Sequence, residues 1–333
     1  MATQDTNVSG PTDAADAGEI EAPVVVLAGG VGAARFLRGV VRAVRPSDVT
    51  VIVNTGDDRE FYGAHVSPDI DIVTYTLAGR VDSERGFGLE GDRYDLVDRL
   101  AELGHPIWFR LGDADYANCL HRTLRLADGV LLHEITDELR RDLGLALRIL
   151  PMSNDPCATY VELSDGARLH FEEYLVRDGA PTDVEAVDLA LAEAASPAPG
   201  VLEAIASAST ILVCPSNPIV SIGPILAVRG VREALAASTA PIVAVSPIVG
   251  GAPIKGPADT LLRALDIEVS ALGVARFYAD WVGGFVFDER DASLGAEIEA
   301  LGLESRSLDT MMVSPEVAES VARATLDVAS RLR

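Results

Sequence analysis

Short apolar runs, each closed by a polar or glycine-rich segment, alternate along the chain with stretches of helical spacing. Residues 23–27 read PVVVL, AGGVGAAR follows, and FLRGVVRAV then places apolar residues three and four apart. Strand, glycine-rich turn and helix in that order open an α/β nucleotide-binding unit. VTVIV at 49–53 predicts a second buried strand, 72–77 a short helix and 94–103 an amphipathic helix. HPIWFRLGDADYA predicts a strand, a turn holding Arg110, Asp113 and Asp115, and a helix through Leu120. Thr136 is placed to cap a helix over DELRRDLGL.

The period then changes. Residues 148–174 alternate, and Asp165-Gly166 fits a hairpin turn, which predicts a small antiparallel excursion. Residues 182–195 are alanine-rich and read as helix. The α/β alternation resumes with the strand of TILVCPSNP, the helix of GVREALAAS and the strand and glycine turn of PIVAVSPIVGG. Two helical pieces follow, then the late strand GGFVFDERD and a last helix that Ser314-Pro315 opens and that runs to Leu332. The pattern predicts a Rossmann-like three-layer α/β sandwich with a mostly parallel sheet. It forms a single domain over 23–333, with a small inserted hairpin and helical subdomain around 120–195, behind a disordered acidic tail at 1–22.

Composition narrows the partners. The net charge is −24, and of the 27 basic residues only Lys255 is lysine. Such a surface cannot release counterions from a nucleic acid backbone, so nucleic acid is excluded. It matches a protein kept soluble by carboxylates, as in a halophilic archaeon. The first 22 residues carry no basic residue, unlike a secretory signal, and no run reaches the ~20 apolar residues that span a bilayer. A cytoplasmic protein without membrane contact is expected. Cys119, Cys157 and Cys214 lack metal-ligand spacing and read as buried small hydrophobes.

The chemistry concentrates in NTGDDREFYGAHVSPDID, directly after the second strand. Asp57, Asp58, Asp69 and Asp71 would repel one another unless a cation or a cationic ligand stood among them. A hard divalent metal with a phosphorylated ligand fits, and a solvated acidic loop is the bland alternative. Gly29, Gly30 and Gly32 allow a phosphate close to the backbone at a helix start. Arg35 stands where a dinucleotide fingerprint needs glycine, and no Walker lysine follows, so neither motif is complete. Ser216, Asn217, Ser221 and Gly223 offer neutral donors and acceptors to a nucleotide. Arg110 could clamp a phosphate or stack on a ring, and His65 is the one histidine inside a motif. Lys255 draws notice only as the single lysine.

LAGGVGAARFL, NTGDD, VSPDID, YTLAG, RGFG, LGDADYA, LPMSNDPCATYV, PSNPIVSIGPIL, SPIVGGAPIKGPA and FDERD occur in this order. Together they resemble the 2-phospho-L-lactate transferases of coenzyme F-420 biosynthesis, from about residue 23 to the C-terminus. The resemblance implies that the ribityl hydroxyl of the deazaflavin Fo attacks the lactate-bearing phosphorus of lactyl-diphospho-guanosine. GMP would leave and coenzyme F-420-0 remain, with Mg2+ as cofactor and a homodimer as assembly. It implies Asp71 and Arg110 as contacts to Fo, and Asp58 and Asp71 as catalytic metal ligands; His65, by its place in the motif, is a secondary candidate for the Fo site. Gly29, Gly30 and Gly32 would face the diphosphate, and Ser216, Asn217, Ser221 and Gly223 the guanosine nucleotide. Ile70 and Ile72 depart from the Leu and Thr that the family favours beside its acids. Two rivals share the opening: a sugar-phosphate nucleotidyltransferase, and a non-catalytic sugar-nucleotide-binding regulator. Ala33-Ala34-Arg35 disfavours the first and Arg59-Glu60-Phe61 the second.

Overall fold

The apolar runs line up as one parallel sheet in a computed structural model that describes residues 22–82 and 84–333. All but one residue of the expected acidic tail at 1–22 lies outside the described residues. The sheet strands are β1 (Val24–Ala28), β2 (Val49–Val53), β3 (Arg148–Pro151), β4 (Thr210–Val213), β5 (Ile242–Val245), β6 (Gly284–Asp288) and β7 (Glu304–Leu308). Their order is β7-β6-β5-β4-β1-β2-β3, and every pairing is parallel. β1 is completely buried, with Val24 opposite Val49 on one side and Thr210 on the other.

Alternation within the strands builds two core layers. Val25, Leu27, Ile52, Ile211 and Phe285 join one, while Val24, Val26, Val51, Leu212 and Val286 join the other. Both faces of the sheet are therefore covered, which is why these strands read as unbroken apolar runs. The helix α1 (Gly30–Ala43) packs against the C-terminal helix Pro315–Arg331, whose Ser314 hydroxyl accepts the Val317 amide at 3.3 Å. Beside them lie α2 (Pro68–Leu77), α3 (Asp95–Glu102), α4 (Asp113–Ala127) and α5 (Leu132–Asp142). Among the described residues no helix is long and apolar enough to cross a membrane.

The chain winds outward from β1 through β2 to β3, then returns to β1's other side and continues through β4 to β7. Strand order thus reverses between β1 and β4, and the loops after those two strands open the crevice where ligands bind in such sheets. β7 was not foreseen, because this edge strand is only partly buried and has no apolar run.

Several local expectations are corrected. Residues 105–110 form no strand; Trp108 and Phe109 instead join Phe61, with the Phe61 and Phe109 rings stacked at 4.0 Å. α4 runs past Leu120 to Ala127. Thr136 is not a cap: it is buried inside α5 and donates to the Leu132 carbonyl at 2.8 Å, while the Glu134 carboxylate accepts the Leu131 amide. The hairpin Tyr160–Leu163 and Arg168–His170 forms as expected around Asp165-Gly166, but Val184–Asp188 is its third strand rather than helix. Paired with Val161 and Tyr160 through Val187 and Asp188, that segment follows its β-branched valines over its alanines.

A Cβ at Gly39 of α1 would run into the Ala318 carbonyl of the C-terminal helix. Gly39→Ala is expected to cost about 1–3 kcal/mol through overpacking, despite alanine's better helix propensity. The shift of the denaturant midpoint measures it, and an unchanged midpoint would rule out so close a helix contact.

Candidate active site

Asn54 directly follows β2, and its buried side chain ties the acidic segment together. Its amide donates to Asp69 at 2.9 Å, to Asp57 at 3.3 Å and to the Val220 carbonyl at 3.3 Å. Its carbonyl accepts the Gly56 amide at 2.8 Å. A short hairpin, Arg59–Phe61 with Ala64–Val66, then returns the chain to α2. α2 begins at Pro68, so Asp69 and Asp71 both lie in its first turn rather than in a loop before it. Negative side chains are favoured there by the helix dipole.

The glycine turn closes against the loop after β4. The Ser216 hydroxyl accepts the Gly29 amide at 3.3 Å and donates to the Gly29 carbonyl at 2.8 Å. A Cβ at Gly29 would stand 2.8 Å from both Asp69 and the Ser221 side chain, and one at Gly32 would stand 2.5 Å from the Pro215 carbonyl. Gly30 adopts φ +78°, which favours glycine, and its amide donates to the Asp69 carboxylate. Asn217 caps the wide helical turn Pro218–Ile222 by accepting from Ile219 and Val220, and Gly223 follows that turn. The expected nucleotide-binding residues therefore converge, although Ser216 and the Asn217 carbonyl oxygen are engaged within the protein.

The acids divide into two groups. The first surrounds Asn54. Burial pushes the Asp69 carboxyl up to about 7, against the Asn54 and Gly30 hydrogen bonds. Burial, then Asp69 and Glu172, push Asp57 well above the ordinary range. Glu172, brought in by the small antiparallel sheet, is pushed up to about 8 by burial and by Asp69. Burial also raises Asp58, although one of its oxygens accepts Ser67 Oγ at 2.6 Å and contacts His65 Nε2 at 3.1 Å. The other Asp58 oxygen is buried without a hydrogen bond.

The second group centres on Asp71. Both its oxygens meet the guanidinium of Arg122, which is completely buried. Burial opposes the Arg122 charge, yet the Asp71 carboxylate beside it raises its pKa beyond the ordinary guanidinium value. Arg122 also donates to the His65 carbonyl at 3.1 Å. Asp115, pushed up to about 7 by burial and by Asp71, accepts the Tyr75 hydroxyl at 2.8 Å. Asp71, Asp115 and Cys119 bring ligand atoms within 4.8 Å of one another. A cation there would face the Arg122 charge, and burial raises the Cys119 thiol well above its usual value, so this trio suits a metal poorly.

A cleft of about 90 Å³ adjoins this second group. Asp71, Tyr75 and Asp115 line it on one side, and Phe87, Tyr94, Phe109 and Arg110 are among its other walls. The Arg110 guanidinium lies 4.7 Å from the Tyr94 ring centroid and pairs with exposed Asp98 at 3.0 Å. Asp113 accepts the amides of Asp95 and Leu96 at the start of α3. Asp92 does the same for Ala114 and Asp115 at the start of α4. Asp71 and Arg110 thus share one cleft, whereas the His65 ring turns to Asp58. Sequence reasoning missed Asn54, Glu172 and Arg122, whose decisive partners, Asp69 for the first two and Asp71 for Arg122, lie 15 or more residues away.

Fold and site define a doubly wound α/β protein whose crevice joins a glycine turn, buried carboxylates and an aromatic cleft. The family model of 2-phospho-L-lactate transferase CofD matches residues 24–324. A phosphoenolpyruvate transferase of Kitasatospora aureofaciens is 46% identical over 316 residues, covering 93% of this chain and 98% of that protein. A 2-phospho-L-lactate transferase of Methanosarcina mazei is 40% identical over 299 residues, covering 90% and 98%. The chain belongs to the 2-phospho-L-lactate transferase family CofD. Its fold is also similar to a solved UPF0052 family protein of Bacillus halodurans, at TM-score 0.59 and 21% identity, covering 91% of this chain and 99% of that one.

The Asp71–Arg122 pair makes Asp71→Asn more than a change of charge in the cleft. Leaving Arg122 buried without its counter-charge is expected to cost about 3–5 kcal/mol. Combining it with Arg122→Met should recover part of that loss. Urea melts of the four-member cycle measure the coupling, and additive losses would show that the two side chains do not interact.

Proposed function

We propose that this transferase moves the phospholactyl group from lactyl-diphospho-guanosine to the ribityl hydroxyl of Fo, releasing GMP and giving coenzyme F-420-0. The observation that carries this reading is the shared placement of Asp71, Asp115 and Arg110 in one aromatic cleft, with the glycine turn packed against Asp69 two residues before Asp71. The flat deazaflavin ring fits against Tyr94 and Phe109, with the Arg110 guanidinium at its edge. The Fo hydroxyl oxygen forms a bond to the phosphorus that bears lactate. The bond from that phosphorus to the GMP oxygen breaks, and GMP leaves with the electron pair. Asp115, held with a carboxyl pushed up to about 7 and oriented by Tyr75, is placed to accept the hydroxyl proton. The guanosine end lies along the loop from Ser216 to Gly223, with the diphosphate at the glycine turn.

Mg2+ belongs to this reading, and its fit is decided by which carboxylates are available. Asp71 is neutralised by Arg122. Asp57, Asp69 and Glu172 repel one another in a buried setting, and one oxygen of Asp58 lacks a partner. They are hard oxygen donors, and although among the described residues no three of them bring ligand atoms within 4.8 Å of one another, we assign the metal to Asp57, Asp69 and Glu172 with Asp58, in place of Asp71. When bound, it would neutralise charge on the transferred phosphoryl group. We further propose a cytoplasmic homodimer.

The acyl group has a second reading. The Kitasatospora relative named phosphoenolpyruvate transferase is more similar to this chain than the Methanosarcina one, which favours an enolpyruvyl donor. Incubation with Fo, Mg2+ and either donor should give GMP and a new phosphodiester, with the faster donor setting the acyl preference. No product from either donor, at low or molar salt, would refute the transferase reading of this site.

The carboxyl shifts have a consequence for stability. Asp69 and Glu172 bind protons more tightly folded than unfolded, so their stabilisation is complete below the ordinary carboxylate range. It is lost as pH rises towards about 7 for Asp69 and about 8 for Glu172. Without divalent metal, stability should fall by on the order of 2 kcal/mol from pH 5 to pH 8. Mg2+ should restore it at pH 8, and Asp69→Asn should flatten the profile. A metal-free melting temperature independent of pH, or unmoved by Mg2+, would remove these acids as the metal site.

A further inference from the structure

Two cations approach each other at the margin of the site with no carboxylate between them. Arg35 stands on α1, five residues beyond Gly30, and Lys255 on the loop that follows β5. The Arg35 guanidinium reaches 3.9 Å from the position a Cβ on Gly86 would take. The Lys255 ammonium lies 5.4 Å from the Phe87 ring centroid. Phe87 and Gly88 are walls of the aromatic cleft. The two side chains, from segments 220 residues apart, thus meet on one loop that borders the acceptor cleft, while Arg35 rises from the helix that the glycine turn opens.

Their lack of partners is informative in this protein. Acids outnumber bases 51 to 27, and most guanidiniums are matched, as in Arg42–Glu319, Arg125–Glu138 and Arg168–Asp188. Among the described residues neither Arg35 nor Lys255 makes an ion pair or hydrogen bond with a protein group. Burial and then the Arg35 charge depress the Lys255 ammonium below its ordinary value. An anion placed between the two would relieve that repulsion, and the Phe87 ring supports the ammonium from one side.

We propose that Arg35 and Lys255 are a two-cation clamp for the pyrophosphate of the nucleotide donor, bridging the glycine turn and the aromatic cleft. This rests on the guanosine-donor reading above. A guanidinium grips two phosphate oxygens at once, and an ammonium supplies a point charge. Neither forms or breaks a bond; together they hold the charge that accumulates on the departing GMP oxygen. Lys255 thereby becomes a binding residue that its isolation in the sequence could not establish.

Titration calorimetry of the full chain with GDP, guanosine and inorganic pyrophosphate tests the clamp. Both residues are exposed, so Arg35→Gln and Lys255→Met should melt as the wild type does. Each should weaken GDP and pyrophosphate by about tenfold or more while guanosine binding stays unchanged, and Lys255→Arg should restore most of the loss. If the wild type binds GDP and the variants bind it equally well, the clamp is wrong and the transferase reading stands. If pyrophosphate binds and is lost in the variants but GDP binds no better than pyrophosphate, the clamp holds and the guanosine donor is wrong. If the wild type binds neither, both are overturned.

Discussion

The amide of Asn54 touches three segments that the sheet alone would leave independent. It joins the end of β2 to the start of α2 through Asp69, to its own turn through Asp57 and Gly56, and to the loop after β4 through the Val220 carbonyl. Gly29 then fits over this junction, with no space for a side chain between Asp69 and Ser221. A neutral amide suits the position because it donates to two carboxylates and still accepts a backbone amide. An aspartate there would add a further negative charge, and an aliphatic residue would leave several buried groups without partners.

That junction holds carboxylates in an arrangement that folding alone does not favour. Burial and mutual repulsion raise Asp57, Asp69 and Glu172 together, so holding them charged in the fold costs stability. Perturbed groups of this kind gather where charge must be bound or moved. The Asp71 group solves the same problem differently. Arg122 supplies a buried counter-charge to Asp71 beside the cleft, while the neighbouring Asp115 carries the raised carboxyl. The crevice therefore holds two acid sets of different character, one of mutually repelling carboxyls and one built around an ion pair.

Much of the scaffold was legible because doubly covered parallel strands must be apolar throughout: β1, β2, β4, β5 and β6 stand out as runs, and each ends at a motif. β7 was hidden because an edge strand needs no such run. Val184–Asp188 was hidden because its alanine-rich surroundings mimic helix while its partner strand lies some 20 residues earlier. The convergence of the glycine turn with the loop after β4 was legible as two motifs of one family. The partners of the acids were not. Arg122 reads as one more surface arginine on an amphipathic helix, and nothing local marks it as the counter-charge of Asp71, 51 residues away. Glu172 reaches Asp69 only because a three-stranded sheet folds back over the crevice.

The distribution of positive charge completes the picture of how so acidic a chain can receive an anionic substrate. A field of −24 repels a nucleotide at long range, although salt screens it beyond about 8–10 Å. Binding must then come from short-range cations that the protein's own acids have not consumed. Arg122 is consumed by Asp71, and Arg110 is partly engaged by Asp98 in an exposed pair that is easily exchanged. Arg35 and Lys255 stand without an acid partner among the described residues. These two that escape pairing, Arg35 on α1 and Lys255 on the loop after β5, meet at the border of the cleft.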